Sequence, residues 1–247
     1  MKTIRTMLKN ELIMSLRGMD MPIFAIAMPL VILVIMGVVY GQKPAFDGAE
    51  YTFLEQSFGA LTTISICAGG VMGLPLLISD YRAKRILKRY HVTPVSPILI
   101  LLAGVLMYVL YAAVSLVSLF CAAKVFWGFQ MRGSIIVFLA GWLIVMGSMF
   151  SIGILVGGIA KDAKTAGIIA SALYFPMLVF SGATFPYEVM PDGMKAVVNI
   201  LPLTHGIKIL KCATLGLPME KVFVPVVIML VIAVICSLAG IKFFKWE

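Results

Sequence analysis

Six stretches of this 247-residue chain, residues 21–41, 58–79, 98–123, 134–160, 165–183 and 222–241, are apolar for 19 to 27 residues each and contain no Asp, Glu, Lys or Arg. A bilayer core about 30 Å thick is crossed by a helix of about 17–25 residues. All 31 charged residues (20 Lys and Arg, 11 Asp and Glu) fall between the runs. Hydrophobic residues make up 62% of the chain and charged ones 13%, against roughly 45–50% and 25% in soluble domains. A water-soluble globule cannot cover that much apolar surface, so the excess faces lipid. A cytosolic enzyme, a nucleic-acid-binding domain and a disordered chain are excluded. The sequence predicts an all-α polytopic membrane protein: one domain over 1–247, six transmembrane helices and no internal repeat. The first run starts late and has no small-residue cleavage site, so it reads as a retained helix. The two longest runs tilt or extend past the hydrocarbon.

Orientation follows from the basic residues. One side of the membrane receives 13 Lys and Arg, within residues 2–17, 82–89, 161–164 and 242–245, and the other receives seven. The positive-inside rule places the richer side, with both termini, in the cytoplasm. The net charge of +9 is therefore a signal of topology and not of nucleic-acid binding. Cys67, Cys121, Cys212 and Cys236 form no Cys-x-x-Cys pair, and His91 and His205 lie in different loops. Neither a disulfide framework nor a metal site is expected.

Three connecting segments carry pattern. Over residues 1–20, Ile4, Met7, Leu8 and Leu12 fall near one helical face, with Lys2, Thr6, Lys9 and Arg17 opposite. Glu11 and Ser15 interrupt the apolar side. An interfacial amphipathic helix fits. Over residues 81–92, Ala83, Ile86, Leu87 and Tyr90 recur at i, i+3, i+4 and i+7, with basic residues around the rest. Asp80 suits the start of that helix, and Pro94 and Pro97 stop it. Such a helix either docks in a groove of a soluble partner or rests on anionic headgroups. Residues 184–221 contain a stripe of Met190, Met194, Val197, Val198 and Leu201, then a second short segment near 205–215. Neither piece spans a bilayer; a helical hairpin that dips into the outer leaflet or caps a pathway is expected, with a plain surface lid as the alternative.

The spans offer no His or carboxylate to activate their serines and no ion relay. No Gly-Lys dipeptide occurs anywhere, so there is no phosphate-binding P-loop. No catalytic residue, metal ligand or bound cofactor is expected of this chain. Gly37/Gly41, Gly69/Gly73 and Gly153/Gly157 permit close helix contact. Pro75 and Pro176 interrupt apolar runs, either as kinks or as ordinary membrane prolines.

Asp80, Arg85-Ile86-Leu87-Lys88-Arg89 and Thr93-Pro94-Val95-Ser96 follow the second run. Ser181-Gly182, Phe185-Pro186, Met190-Pro191 and Leu201-Pro202-Leu203-Thr204 follow the fifth. In order, spacing and six-span plan the chain resembles the permease subunits of type-2 ATP-binding-cassette exporters. It departs at Asp80-Tyr81-Arg82-Ala83, where the family often has Glu-Arg-Glu and a glycine, and at His205, where an aromatic is common. The resemblance implies that ATP and Mg are bound by a separate cytoplasmic ATPase, with two ATPases and two permeases, here a homodimer, forming the unit in a prokaryotic plasma membrane. It implies coupling through Arg85, Ile86, Leu87, Lys88, Arg89, Tyr90, Thr93 and Pro94, and a pathway or outer gate at Phe175, Phe180, Ser181, Gly182, Phe185 and Pro186. The charge-free interior suits an amphipathic cargo such as a drug, lipid or hydrophobic peptide. The competing reading is a membrane assembly or immunity factor that moves nothing; an intramembrane enzyme is disfavoured by the empty spans.

Overall fold

The computed structural model describes residues 2–46, 48–84, 97–182 and 191–243. The helices are α1 (Lys2–Gly18), α2 (Ile23–Tyr40), α3 (Phe53–Ala83), α4 (Ile98–Trp127), α5 (Ile135–Ile159), α6 (Ala163–Phe180), α7 (Asp192–Val198), α8 (Pro202–Leu215) and α9 (Phe223–Phe243). Among the described residues, six of these are long and apolar enough to cross a membrane: α2 to α6, and α9 with the turn before it. They fall on the six expected runs. One buried apolar cluster draws residues from all six and from α8, including Leu33, Phe58, Met107, Phe138, Tyr174, Leu203 and Met229.

The middle of the bundle is α3, which is 83% buried over its most apolar stretch, against 17% for α9 and 22% for α2 and α6. The helix extends past the apolar run 58–79 at both ends, to Phe53 and Ala83, and takes in Glu55, Asp80 and Arg82. At its start the extension is held by a capping box. Thr52 Oγ1 accepts from Glu55 N at 3.2 Å while Glu55 Oε2 accepts from Thr52 N at 2.9 Å. Two orphaned donors at the helix start are thereby satisfied. Arg132 Nε lies 3.5 Å from the same Glu55 oxygen, so the buried carboxylate is paired. The helix that carries the run 58–79 therefore bears charge beyond both ends of that run.

Pro75 is more than an ordinary membrane proline. It has no N–H for the Val71 carbonyl and crowds it. The helix widens to a π-helical turn, Ala68–Gly73, immediately before it. There α3 meets α5 backbone to backbone: a Cβ on Gly153 would lie 1.9 Å from the Gly70 carbonyl oxygen. Further along the same seam Gly157 faces Pro75 and Ile78. Pro176, by contrast, leaves α6 unbroken from Ala163 to Phe180.

The apolar face expected of α1 is the one that packs. Met7 lies against Tyr81 and Ile100 of α3 and α4, and Leu8 and Leu12 against the main core. Glu11 and Ser15 lie on this packed side as well, half-buried.

Of the hairpin expected over residues 184–221, to dip inward or cap a pathway, the structure describes residues 191–221. Most of α8 is buried, including Leu203, Thr204, His205, Leu210 and Thr214. It runs antiparallel to α5, with Gly206 at Val145 and Ile209 at Gly141, and touches α3 at Gly59. At about 1.5 Å per residue, α8 returns along nearly half of α5. A short amphipathic helix is thus inserted among the ends of α3, α5 and α9.

Candidate coupling and pathway sites

The expected coupling residues Arg85, Ile86, Leu87, Lys88, Arg89, Tyr90, Thr93 and Pro94 lie outside the described residues. Their frame is described. Segment 85–96 hangs between the end of α3 and the start of α4, with α1 packed across both. At the end of α3, Lys84 Nζ donates to Asp80 Oδ2 at 2.8 Å in an exposed i,i+4 pair, the kind that contributes only about 0.3–0.5 kcal/mol. Arg82 turns the other way and donates to carbonyls at the end of α5.

Between α1, α3 and α4 a cleft of about 390 Å³ is lined by Glu11, Met14, Asp80, Tyr81, Lys84 and Tyr108. Burial pushes the Glu11 carboxyl above the usual carboxylate range, and the Tyr81 hydroxyl facing it pulls the other way. This accounts for a carboxylate on the packed side of α1. Beside it, an apolar groove of about 440 Å³ runs between α3, α4, α5 and α9, lined by Leu74, Leu77, Leu101, Val105, Ile154 and Ile241.

Of the expected pathway residues, Phe175 and Phe180 are 50% and 44% exposed on α6. Helical spacing places Phe175 on one face with Ile168 and Val179, and Phe180 about 140° round from it. Ser181 is buried. Gly182 takes a positive φ of 93° just past the end of α6, a conformation that favours glycine at a helix terminus. Phe185 and Pro186 lie outside the described residues. The structure thus leaves Phe175 and Phe180 exposed on different faces of α6 and buries Ser181.

Sequence reasoning missed two constellations at the opposite end. In the first, Arg132 Nη2 donates to the Glu50 carbonyl at 2.5 Å, and the backbone N–H groups of Arg132 and Gly133 both donate to the Thr214 carbonyl at 3.1 Å. Three separate connections are bound into one cap. The Thr52-x-x-Glu55 spacing was its visible signal.

The second is the corner between α7 and α8. Thr204 Oγ1 donates to the Val198 carbonyl at 2.8 Å, Lys208 Nζ to Asn199 Oδ1 at 2.6 Å, and His205 Nε2 bonds the Asn199 carbonyl at 2.9 Å. A carbonyl only accepts, so Nε2 carries the proton. Nδ1 is buried, with no hydrogen-bond partner among the described residues. Burial, with Lys208 nearby, holds the imidazole below its ordinary value of 6.5, against the pull of the Asn199 bond. The unfolded chain then binds the proton more readily than the folded one, so stability falls as pH drops below about 6.5 towards the folded pKa. Thermal unfolding in detergent at pH 7.5 and 5.5 should show that loss. His205→Phe, an aromatic where the resembling family often has one, should flatten the response; an equal loss in the variant would remove His205 as its source.

Among the described residues no three His, Cys, Asp or Glu side chains gather as a metal site. Interior hydroxyls such as Ser148 and Ser151 bond backbone carbonyls, Ser148 Oγ reaching Met229 O of α9 at 2.6 Å. Such bonds are typical of packed membrane helices.

Residues 2–215 match the family model described as ABC-2 type transporter. The chain is 29% identical over 119 residues to the inner membrane transport permease YhhJ of Escherichia coli (strain K12), which is 48% of this chain and 32% of that protein. It is 31% identical over 94 residues to nodulation protein J of Rhizobium meliloti (strain 1021), 38% of this chain and 34% of the relative. It is 31% identical over 72 residues to nodulation protein J of Neorhizobium galegae, 29% of this chain and 28% of the relative. The matched stretches span about a third of the length of these relatives.

Proposed function

The chain belongs to the ABC-2 type transporter family, and on that premise we propose that it is the membrane permease of an ATP-driven exporter, coupled to a separate ATPase. The observation that carries this reading is the family match over residues 2–215 on a chain with six membrane-length helices. Membership implies a partner ATPase; ATP and Mg would be held there, and two ATPases would serve two copies of this chain. Segment 85–96 would take up the ATPase motion through Ile86 and Leu87, with Arg85, Lys88 and Arg89 meeting acidic groups. The exposed Phe175 and Phe180 of α6 would line the pathway or meet the second permease, with Ser181, Gly182, Phe185 and Pro186 at its outer end.

We place the protein in a prokaryotic plasma membrane; the Escherichia coli relative is an inner membrane transport permease. Both termini would be cytoplasmic, following the 13-to-7 excess of Lys and Arg. The cargo would be amphipathic. The cleft with Glu11 and Asp80 lies beside the apolar groove at Leu74 and Val105, a pairing suited to a molecule with a polar head and a greasy body.

Co-purification of an ATPase with the full chain, and ATP hydrolysis by the complex in liposomes, tests the reading. Capture of no ATPase overturns it, and capture with no nucleotide-dependent movement of the permease favours a scaffold that carries nothing. Impermeant maleimide should reach Lys84→Cys and Asp192→Cys from opposite sides of the membrane; labelling from one side overturns the topology.

A further inference from the structure

Arg82 stands three residues before the 85–96 segment. Its guanidinium leaves α3 and covers the end of α5: Nη1 donates to the Ala160 carbonyl at 2.5 Å, and Nη2 to those of Gly157 and Gly158 at 3.1 and 3.3 Å. The last carbonyls of a helix have no partner within it, and they form the negative end of its dipole. A rigid planar fork can serve several of them at once, which a single ammonium cannot.

What is held there is an elbow. Only Ala160, Lys161 and Asp162 separate α5 from α6. Asp162 Oδ1 accepts from Thr165 N at 2.7 Å and so starts the next helix. The lower part of α3 lies on both arms, with Pro75 and Ile78 against Gly157 and Leu76 near Gly167. Above it is the π-helical turn Ala68–Gly73, a natural place for the two halves of α3 to move relative to each other. The arm beyond the elbow, α6, carries the exposed Phe175 and Phe180.

We propose that Arg82 is a positioning residue that transmits displacement of the end of α3 to the α5–α6 elbow, and through it to α6 with its exposed Phe175 and Phe180. This rests on the coupling to an ATPase proposed above. Pulling the end of α3 moves Arg82, and its three carbonyl bonds carry the α5 terminus with it. A clamp that merely stabilised the end of α5 would have no nucleotide-dependent consequence, and that difference is measurable.

The experiment is hydrogen exchange of peptides covering residues 163–182 in the complex with its co-purifying ATPase, nucleotide-free and trapped with ATP, Mg²⁺ and vanadate. In the unsubstituted complex, protection of this stretch should change between the two states. Arg82→Met should keep ATPase binding and basal ATP hydrolysis but lose the nucleotide-dependent difference. Arg82→Lys, which keeps the charge and loses the fork, should retain part of it. A merely structural role would raise exchange equally in both states and leave the difference intact, which overturns the proposal. So would an unsubstituted complex that hydrolyses ATP with no change at 163–182. If Arg82→Met does not survive extraction, Arg82→Lys is read alone, and an unaltered difference overturns the clamp. Capture of no ATPase is a separate failure, that of the proposed function itself.

Discussion

Gly153→Leu should leave no extractable, monodisperse protein, because α3 and α5 can no longer dock. A Cβ at this position would lie 1.9 Å from the Gly70 carbonyl oxygen and 2.9 Å from its carbon. Those are backbone atoms of the most buried helix, so no side chain can swing aside to make room. Relief requires the two helices to separate by more than an ångström. Ordinary overpacking costs about 1–3 kcal/mol when side chains can adjust. Here the whole seam opens, and dispersion contacts weaken steeply with such a gap. Gly147→Leu is the matched control on the same helix, since a Cβ there meets nothing within 4 Å. Both substitutions gain a similar helix propensity, about 0.8–1 kcal/mol, so their difference isolates packing. Size-exclusion profiles and thermal unfolding of the two variants make the comparison. Equal stability would mean that the Gly70–Gly153 contact does not hold the bundle together.

That contact also shows where sequence reading reaches its limit. Gly153 and Gly157 stood out by spacing, but spacing names no partner, and Gly41, of the same pattern, instead ends α2 with a positive φ. The spans were legible because about twenty apolar residues in a row have one explanation in water or lipid. The start of α3 was not, because a hydropathy count places Glu55 outside while the capping box draws it in. The sequence left α8 between a helix that dips inward and a surface lid, for a related reason. Lys208 and Lys211 give it the pattern of a surface helix, and only the neighbouring α3, α5 and α9 bury the rest. Glu11 looked like a flaw in the α1 stripe until Tyr81 was seen to face it. Among the site residues, Phe175 and Phe180 are exposed, on faces that helical spacing sets about 140° apart, whereas Ser181 is buried where the helix ends.

Leu87→Asp should abolish capture of the ATPase while leaving membrane insertion and the fold of the bundle unchanged. The prediction is carried by the sequence pattern, in which Ala83, Ile86, Leu87 and Tyr90 form one stripe and Arg85, Lys88 and Arg89 flank it. If that stripe fills an apolar notch on the partner, burying the leucine contributes about 1.5–3 kcal/mol. The aspartate loses this and brings in a carboxylate whose desolvation costs at least as much again. At about 1.4 kcal/mol per decade, the combined loss weakens association by roughly a hundredfold to ten-thousandfold. Lipid docking makes the opposite forecast. A helix resting on anionic headgroups is held mainly by its cations, at about 1 kcal/mol each, so Arg85→Gln with Lys88→Gln should then be the damaging change and Leu87→Asp the milder one. Pull-down of the ATPase by each variant from the same membranes, with thermal unfolding as the control for folding, separates the two. Retention of the ATPase by Leu87→Asp would remove the stripe from the coupling surface.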